Sequence, residues 1–375
     1  LITGFYTGGN VSSPNISGGC QSRSLKNLFK FLDSSNNYEY FNAIIRRRVS
    51  LLLDHGDYVK IAKDDIDSFE QFLLDSRYAE SYRSQLVRTR RSTLSRIEFA
   101  IANQLSRELN HSRKIAKGEV YDLLDVILAR SDLYNTRLVI RSLFTGTFGG
   151  KEPIWQDFGA IPMGFFSDLW WEGKTPEKIL EKCHSQGHPM ALALASSVSD
   201  FQQGYDLHHA ERKLLIKHIE YLNDSLSSTN SSSAKVIKDY LGMNIDLWNV
   251  GIWTRANSKA GKFVKKEPDY IPGGLSFSVS ELNEARILGV LIRGSRWSGA
   301  LGIMEKDRHG NIQRAMQIQM LNWQKKLYRS NPLGIEVALG YVAMYLIEWE
   351  NLNLLAVGLA SRMNSEDLLK RIISV

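Results

Sequence analysis

At three points along the chain a carboxylate stands three residues before an asparagine: Asp132 and Asn135, Asp246 and Asn249, Glu348 and Asn351. Residues three apart share one face of a helix. Each pair therefore offers an acceptor-only carboxylate beside an amide that both donates and accepts. Such a pair can clamp a neighbouring segment by taking its backbone N–H bonds. In the first two copies an arginine follows the asparagine by six residues, Arg141 and Arg255, and Val357 takes that place in the third. The arginines fall off the shared face, so they read as partners for a different helix. The asparagines lie 249 − 135 = 114 and 351 − 249 = 102 residues apart, a spacing expected of duplicated helical units. The first reading of the motif is structural, buried polar groups that fix helix register. The second is that the pairs line a partner surface.

Residue sets that would carry catalysis fail one by one. A phosphate-binding loop needs Gly, four residues, then Gly-Lys-Ser/Thr, so that backbone amides cradle phosphates and a hydroxyl holds magnesium. Gly150-Lys151 is followed by Glu152 with Thr145 at the opening position, and Gly261-Lys262 by Phe263 with Ala256 there. Cys183-His184 with His188 has no fourth ligand at suitable spacing for a closed zinc site and reads as a surface loop. His208 and His209 are adjacent, so on a helix they point apart. The carboxylates Asp64, Asp65 and Asp67 suit a helix start, where the dipole favours them. Two basic runs remain, Arg46-Arg47-Arg48 and Arg88-Thr89-Arg90-Arg91. Their first reading is the solvated flank of an amphipathic helix, with a protein partner next and nucleic acid last. Arg46, Arg47 and Arg48 form the candidate partner-facing patch.

The elements that must position these residues read as helix nearly throughout. Phe99, Ala102, Leu105 and Leu109 recur at three- and four-residue steps, which is helix periodicity and not strand alternation. Long helices are expected over Tyr38–Leu53, Ser81–Leu109, Glu119–Phe144, Pro189–Leu226, Ala234–Ala256, Val279–Ile292 and Pro332–Ser361. Thr175-Pro176-Glu177 and Ser278-Val279-Ser280-Glu281 carry helix-start signals. Residues 1–37, rich in Gly, Ser and Asn, read as a flexible arm. The 375 residues are 43% hydrophobic and 23% charged, ordinary for a globular protein. The net charge, 47 − 40 = +7, is mild and dispersed and suits an acidic partner or anionic headgroups. Two distant cysteines, Cys20 and Cys183, point to a reducing compartment. No apolar run reaches the roughly 18 residues that a membrane-spanning helix needs. The expected organisation is all-α, with the arm at 1–37 and three pseudo-repeated helical bundles at 38–157, 158–270 and 271–375.

Toward the end of the chain the pattern becomes more specific. Asn331-Pro332-Leu333-Gly334-Ile335 leads through Leu339-Gly340-Tyr341 to Glu348-Trp349-Glu350-Asn351-Leu352, and then to Asn364-Ser365-Glu366-Asp367. This resembles the C-terminal signature of the C subunit of bacterial and archaeal V/A-type rotary ATPases, the family that includes the vacuolar ATPase d subunit. The earlier Asp-x-x-Asn…Arg helices and Gly187-His188-Pro189 resemble that family in the same order, so the likeness covers about Tyr38 to Val375. The resemblance implies a funnel-shaped, pseudo-threefold, non-catalytic part with no cofactor and no bound nucleotide or nucleic acid. It also implies a place on the cytoplasmic face of a membrane, seated on the proteolipid ring. The rotor shaft subunits would plug into the funnel, coupling ATP turnover to proton or sodium transport. The competing reading from the residues is a helical-repeat scaffold that binds other proteins or RNA.

Overall fold

The computed structural model describes residues 37–87, 91–173, 175–227, 229–257, 268–306 and 311–373. All of the arm but Asn37 lies outside the described residues, as do Cys20, Arg88, Arg90 and the Gly261-Lys262 pair. The described residues form helices, turns and loops, with no strand among them. In chain order the helices are α1 (Tyr38–Val49), α2 (His55–Lys63), α3 (Ile66–Leu74), α4 (Ala79–Leu86), α5 (Thr93–Ile115), α6 (Glu119–Leu128), α7 (Arg130–Thr145), α8 (Met163–Glu172) and α9 (Pro176–Gln186). They continue with α10 (Pro189–Gln202), α11 (Leu207–Ser227), α12 (Ser232–Ala256), α13 (Val279–Glu284), α14 (Leu288–Arg293), α15 (Ser298–Lys306), α16 (Ile312–Leu327), α17 (Glu336–Ala360) and α18 (Ser365–Arg371).

Several expected helices are shortened or cut in two, each at a local chemical cause. The Tyr38 helix stops at Val49, and the chain restarts at Asp54, whose carboxylate accepts from the Asp57 N–H at 2.9 Å. Asp57 returns the bond at 3.1 Å, closing a capping box. The Ser81–Leu109 expectation breaks where the Ser92 hydroxyl caps α5. The Pro189–Leu226 helix breaks at Gly204, whose φ of 82° only glycine adopts without strain. Thr175 and Ser278 cap α9 and α13 as read from the sequence. Helices α2 and α15 add to the expected set.

Two cores hold the helices together. The larger runs from Phe41 through Val139, Leu194 and Ile237 to Tyr345. The second joins the two ends of the described chain: Tyr58, Phe69, Tyr82 and Ile101 pack with Leu352, Leu355 and Leu368. Three helix pairs pack against the motif helices. The pair α4–α5 places α5 on α17, the pair α10–α11 packs on α7, and the pair α15–α16 places α16 on α17 and α12. Gly340 permits one of the closest approaches, because a Cβ there would stand 2.9 Å from the Gln324 carbonyl and 3.0 Å from the Tyr328 Cα. In each pairing the supporting helix, α7, α12 or α17, carries an acid–asparagine motif.

Candidate functional site

The three asparagines make the same two-way bond to one peptide group each. Asn135 donates to the Gln156 carbonyl at 2.8 Å and accepts from its N–H at 3.0 Å. Asn249 does so with Ile271 at 2.8 Å both ways, and Asn351 with Ile373 at 2.9 Å both ways. The acids take the next stretch of chain. Asp132 accepts from Ala160 N–H at 2.9 Å and Ile161 N–H at 3.1 Å, just before α8. Asp246 accepts from Ser276 N–H at 2.9 Å, Phe277 N–H at 3.3 Å and the Trp297 indole at 2.9 Å, just before α13. Glu348 reaches back to the start of the chain. It accepts the Leu53 N–H at 2.6 Å, just before α2, together with the Tyr78 hydroxyl and the Arg77 guanidinium. All six motif residues are no more than 1% exposed. The first two pairs therefore satisfy the backbone of a segment entering a helix, and in the third Glu348 does so at Leu53 while Asn351 holds Ile373 just after α18, as buried peptide groups require.

Two glycines make room for this arrangement. A Cβ on Gly159 would collide with the Asp132 carboxylate, and one on Gly274 with that of Asp246. Nothing in the sequence marks a glycine as facing a carboxylate from another element.

Burial raises the Asp132 carboxyl from its usual value to about 6, and the two backbone N–H bonds offset only part of that. The folded state therefore holds this proton more tightly than the unfolded chain does. The stability that Asp132 contributes is full below about pH 4 and declines as pH rises through about 6. Denaturant titrations of the wild type and Asp132→Asn should show the wild type's advantage shrinking across that window. An advantage that grew with pH would refute the assignment.

The motif arginines meet at one acid. Arg141 pairs with Glu211 of α11, and Arg137 pairs with the same carboxylate at 3.4 Å. Arg255 lies within electrostatic reach of Glu211, Arg137 and Arg141, and burial lowers its affinity for a proton. Burial alone would raise the Glu211 carboxyl, but the Arg141 hydrogen bond and the two guanidinium charges hold it below its usual value. The patch at Arg46, Arg47 and Arg48 divides. Arg46 lies 4.9 Å from the centre of the Tyr328 ring and donates to its carbonyl, and Arg48 pairs with Glu108 at 2.6 Å. Arg47 is exposed.

Beside the arginines lies a cavity of about 300 Å³ walled by α7, α12, α16 and α17, the three motif helices and one neighbour. A larger hollow of about 570 Å³ borders α5, but its arginines are already paired, Arg48 with Glu108 at 2.6 Å and Arg107 with Glu80 at 2.7 Å. The cysteine–histidine group does not form a surface loop throughout. Cys183 is fully buried in α9, and desolvation pushes its thiol up to about 12. His188 caps α10 by accepting the Met190 N–H at 3.1 Å. His218 is buried against Trp248, and desolvation pulls it down to about 3, so it stays neutral. Among the described residues no cluster of three His, Cys, Asp or Glu could hold a metal, and no helix is long and apolar enough to cross a membrane.

What these features define is an all-helical assembly part whose polar side chains are spent on holding its own segments. The comparison with known proteins places it more closely: residues 41–371 match the ATP synthase (C/AC39) subunit family, and the chain belongs to that family. Members are non-catalytic accessory subunits, so the chain is a rotary ATPase subunit and not itself an enzyme. It is 24% identical over 349 residues to the C subunit of the A-type ATP synthase of Haloquadratum walsbyi, covering 89% of this chain and 98% of that one. It is 25% identical over 334 residues to the protein of the same name in Haloferax volcanii, covering 86% and 93%. The C subunit of the V-type ATP synthase of Thermus thermophilus is 22% identical over 329 residues, covering 85% and 93%.

Proposed function

We propose that the chain is the socket of the rotary complex, a central-stalk subunit that joins the rotor shaft to the membrane proteolipid ring. In this reading it sits peripherally on the cytoplasmic face of the membrane, turns with the ring and carries torque. ATP turnover in the soluble head is thereby coupled to proton or sodium transport. The units are 38–157, 158–270 and 271–375, and they close into a pseudo-threefold funnel.

The observation that carries the proposal is the cavity of about 300 Å³, because its wall draws on α7, α12 and α17, one motif helix from each unit. A cavity bordered by all three motif helices lies where a central shaft would enter. The clamps fit the same picture. They tie each unit to the next at 160–161 and 271–277, and Glu348 ties the last unit to Leu53 of the first. A torque-bearing part must be stiff, and close-packed interiors are stiff.

The experiment is a native pull-down through a C-terminal tag from detergent-solubilised host membranes. The socket reading expects the proteolipid ring, the shaft subunits and the ATPase head to co-purify. Abundant folded bait without any of them would overturn it and turn attention to a scaffold role.

A further inference from the structure

One stripe of α7 faces the cavity with arginines at regular helical steps. Arg130, Tyr134, Arg137 and Arg141 all line it, at intervals of four, three and four residues along one face. From Arg130 to Arg141 the stripe is roughly 16 Å long at about 1.5 Å per residue. Three guanidiniums thus run along a groove rather than gathering at one point.

The charges that oppose them are already committed. Arg137 and Arg141 share the single carboxylate of Glu211. The one acid in the cavity wall is Glu350, which takes the Arg314 guanidinium at 2.5 Å and the Gln317 amide at 2.9 Å. Arg130 is half-buried and has neither an ion pair nor a side-chain hydrogen bond among the described residues. Counting the lining residues gives three cations against one acid, 3 − 1 = +2. The rest of the wall consists largely of side-chain amides and aromatic rings, among them Gln313, Gln324 and Trp248. Such a wall solvates a charged guest poorly unless the guest brings the opposite sign.

We infer that this groove receives an acidic protein segment of the shaft, with Arg130 as its principal charge contact and Arg141 marking the groove's far end. The inference rests on the socket reading and adds to it the chemistry of what enters. Arginine suits the task because its planar fork binds a carboxylate through two parallel bonds. A segment with carboxylates about two helical turns apart would match the interval between Arg130 and Arg137. A bilayer is the poorer candidate, since Arg130 and Arg137 are only partly exposed between the helices and a flat anionic surface would reach Arg141 alone.

The test uses the full-length chain and the purified shaft subunits of the same organism, with binding measured by calorimetry at low and high salt. Arg130→Gln should weaken binding on the order of tenfold and flatten its salt dependence, while Arg130→Lys should keep most of both. Because Arg130 has no ion pair or side-chain hydrogen bond among the described residues, both variants should melt like the wild type. Shaft binding that is unchanged in Arg130→Gln would overturn the inference and leave the socket reading standing. Phosphatidylglycerol vesicles that bind the wild type but not Arg130→Gln, with the shaft indifferent to the change, would also overturn it by making the groove a lipid site. A wild type that fails to bind the shaft at all would remove the socket reading and this inference together.

Discussion

Replacing Glu348 with alanine is expected to cost about 3–5 kcal/mol of folding stability, the usual consequence of removing one partner from a buried ion pair. The carboxylate serves three donors at once, the Leu53 N–H, the Tyr78 hydroxyl and the Arg77 guanidinium. Arg77 is only 16% exposed, so it would be left charged with little water to replace the carboxylate. The effect should also be local. Glu348 lies where the second core joins the beginning of the described chain to its end, through Tyr58 and Phe69 on one side and Leu355 and Leu368 on the other. The other two clamps hold continuous stretches of chain about 30 residues away or less, but this one spans 295 residues. Opening it frees α2–α4 and α18 without disturbing α8–α16. Hydrogen exchange should therefore speed up across 53–86 and 365–373 while α11 and α12 keep their protection. Uniform loss of protection, or a cost below about 1 kcal/mol, would mean that the ends are held by apolar packing alone. Glu348→Gln keeps an acceptor for Leu53 and should fall between the two.

The acid–asparagine spacing was readable because residue types three apart on a helix declare a shared face. What each pair holds was not readable. The partners of Asn135, Asn249 and Asn351 are the peptide groups of Gln156, Ile271 and Ile373, and a backbone group leaves no mark on residue type. The pairing of Arg141 and Arg137 with Glu211 joins α7 and α11, a tertiary fact that spacing within one helix does not encode. The triple arginine shows the reverse case. As a string it reads as one patch, yet successive residues on a helix point in different directions. Arg46 turns to Tyr328 and Arg48 to Glu108, while Arg47 remains exposed. Helix type was legible from periodicity, but the breaks at 50–54 and 203–206 needed cap and turn chemistry that long apolar repeats obscure.

Asp246→Ala is expected to be comparably damaging, at about 4 kcal/mol, because it strands two buried donors and one part-buried donor, and each stranded donor costs about 1–3 kcal/mol. Ser276 and Phe277 would lose the acceptor for their N–H groups, and Trp297, which is fully buried, would lose the partner of its indole. Asp246→Asn should recover little. Its carbonyl can serve one side, but its NH2 would face donors on the other. Asn249 holds Ile271 in the same incoming segment, so the two residues are not independent. Once the acid is gone the segment is partly released, and the amide has less ordered backbone left to hold. The double variant Asp246→Ala/Asn249→Ala should therefore lose less stability than the sum of the single variants, with a coupling of about 1 kcal/mol or more. Denaturant unfolding of the four proteins gives that quantity directly. Strict additivity would show that acid and amide act as separate anchors, and the recurrence of the pair on α7, α12 and α17 would then need a cause other than joint clamping. Coupling of the expected size would explain why the two residue types occur three residues apart at the first two positions: one side chain fixes where the segment arrives, and the other fixes the direction in which its helix starts, whereas at the third position Glu348 and Asn351 hold two different stretches, at Leu53 and Ile373.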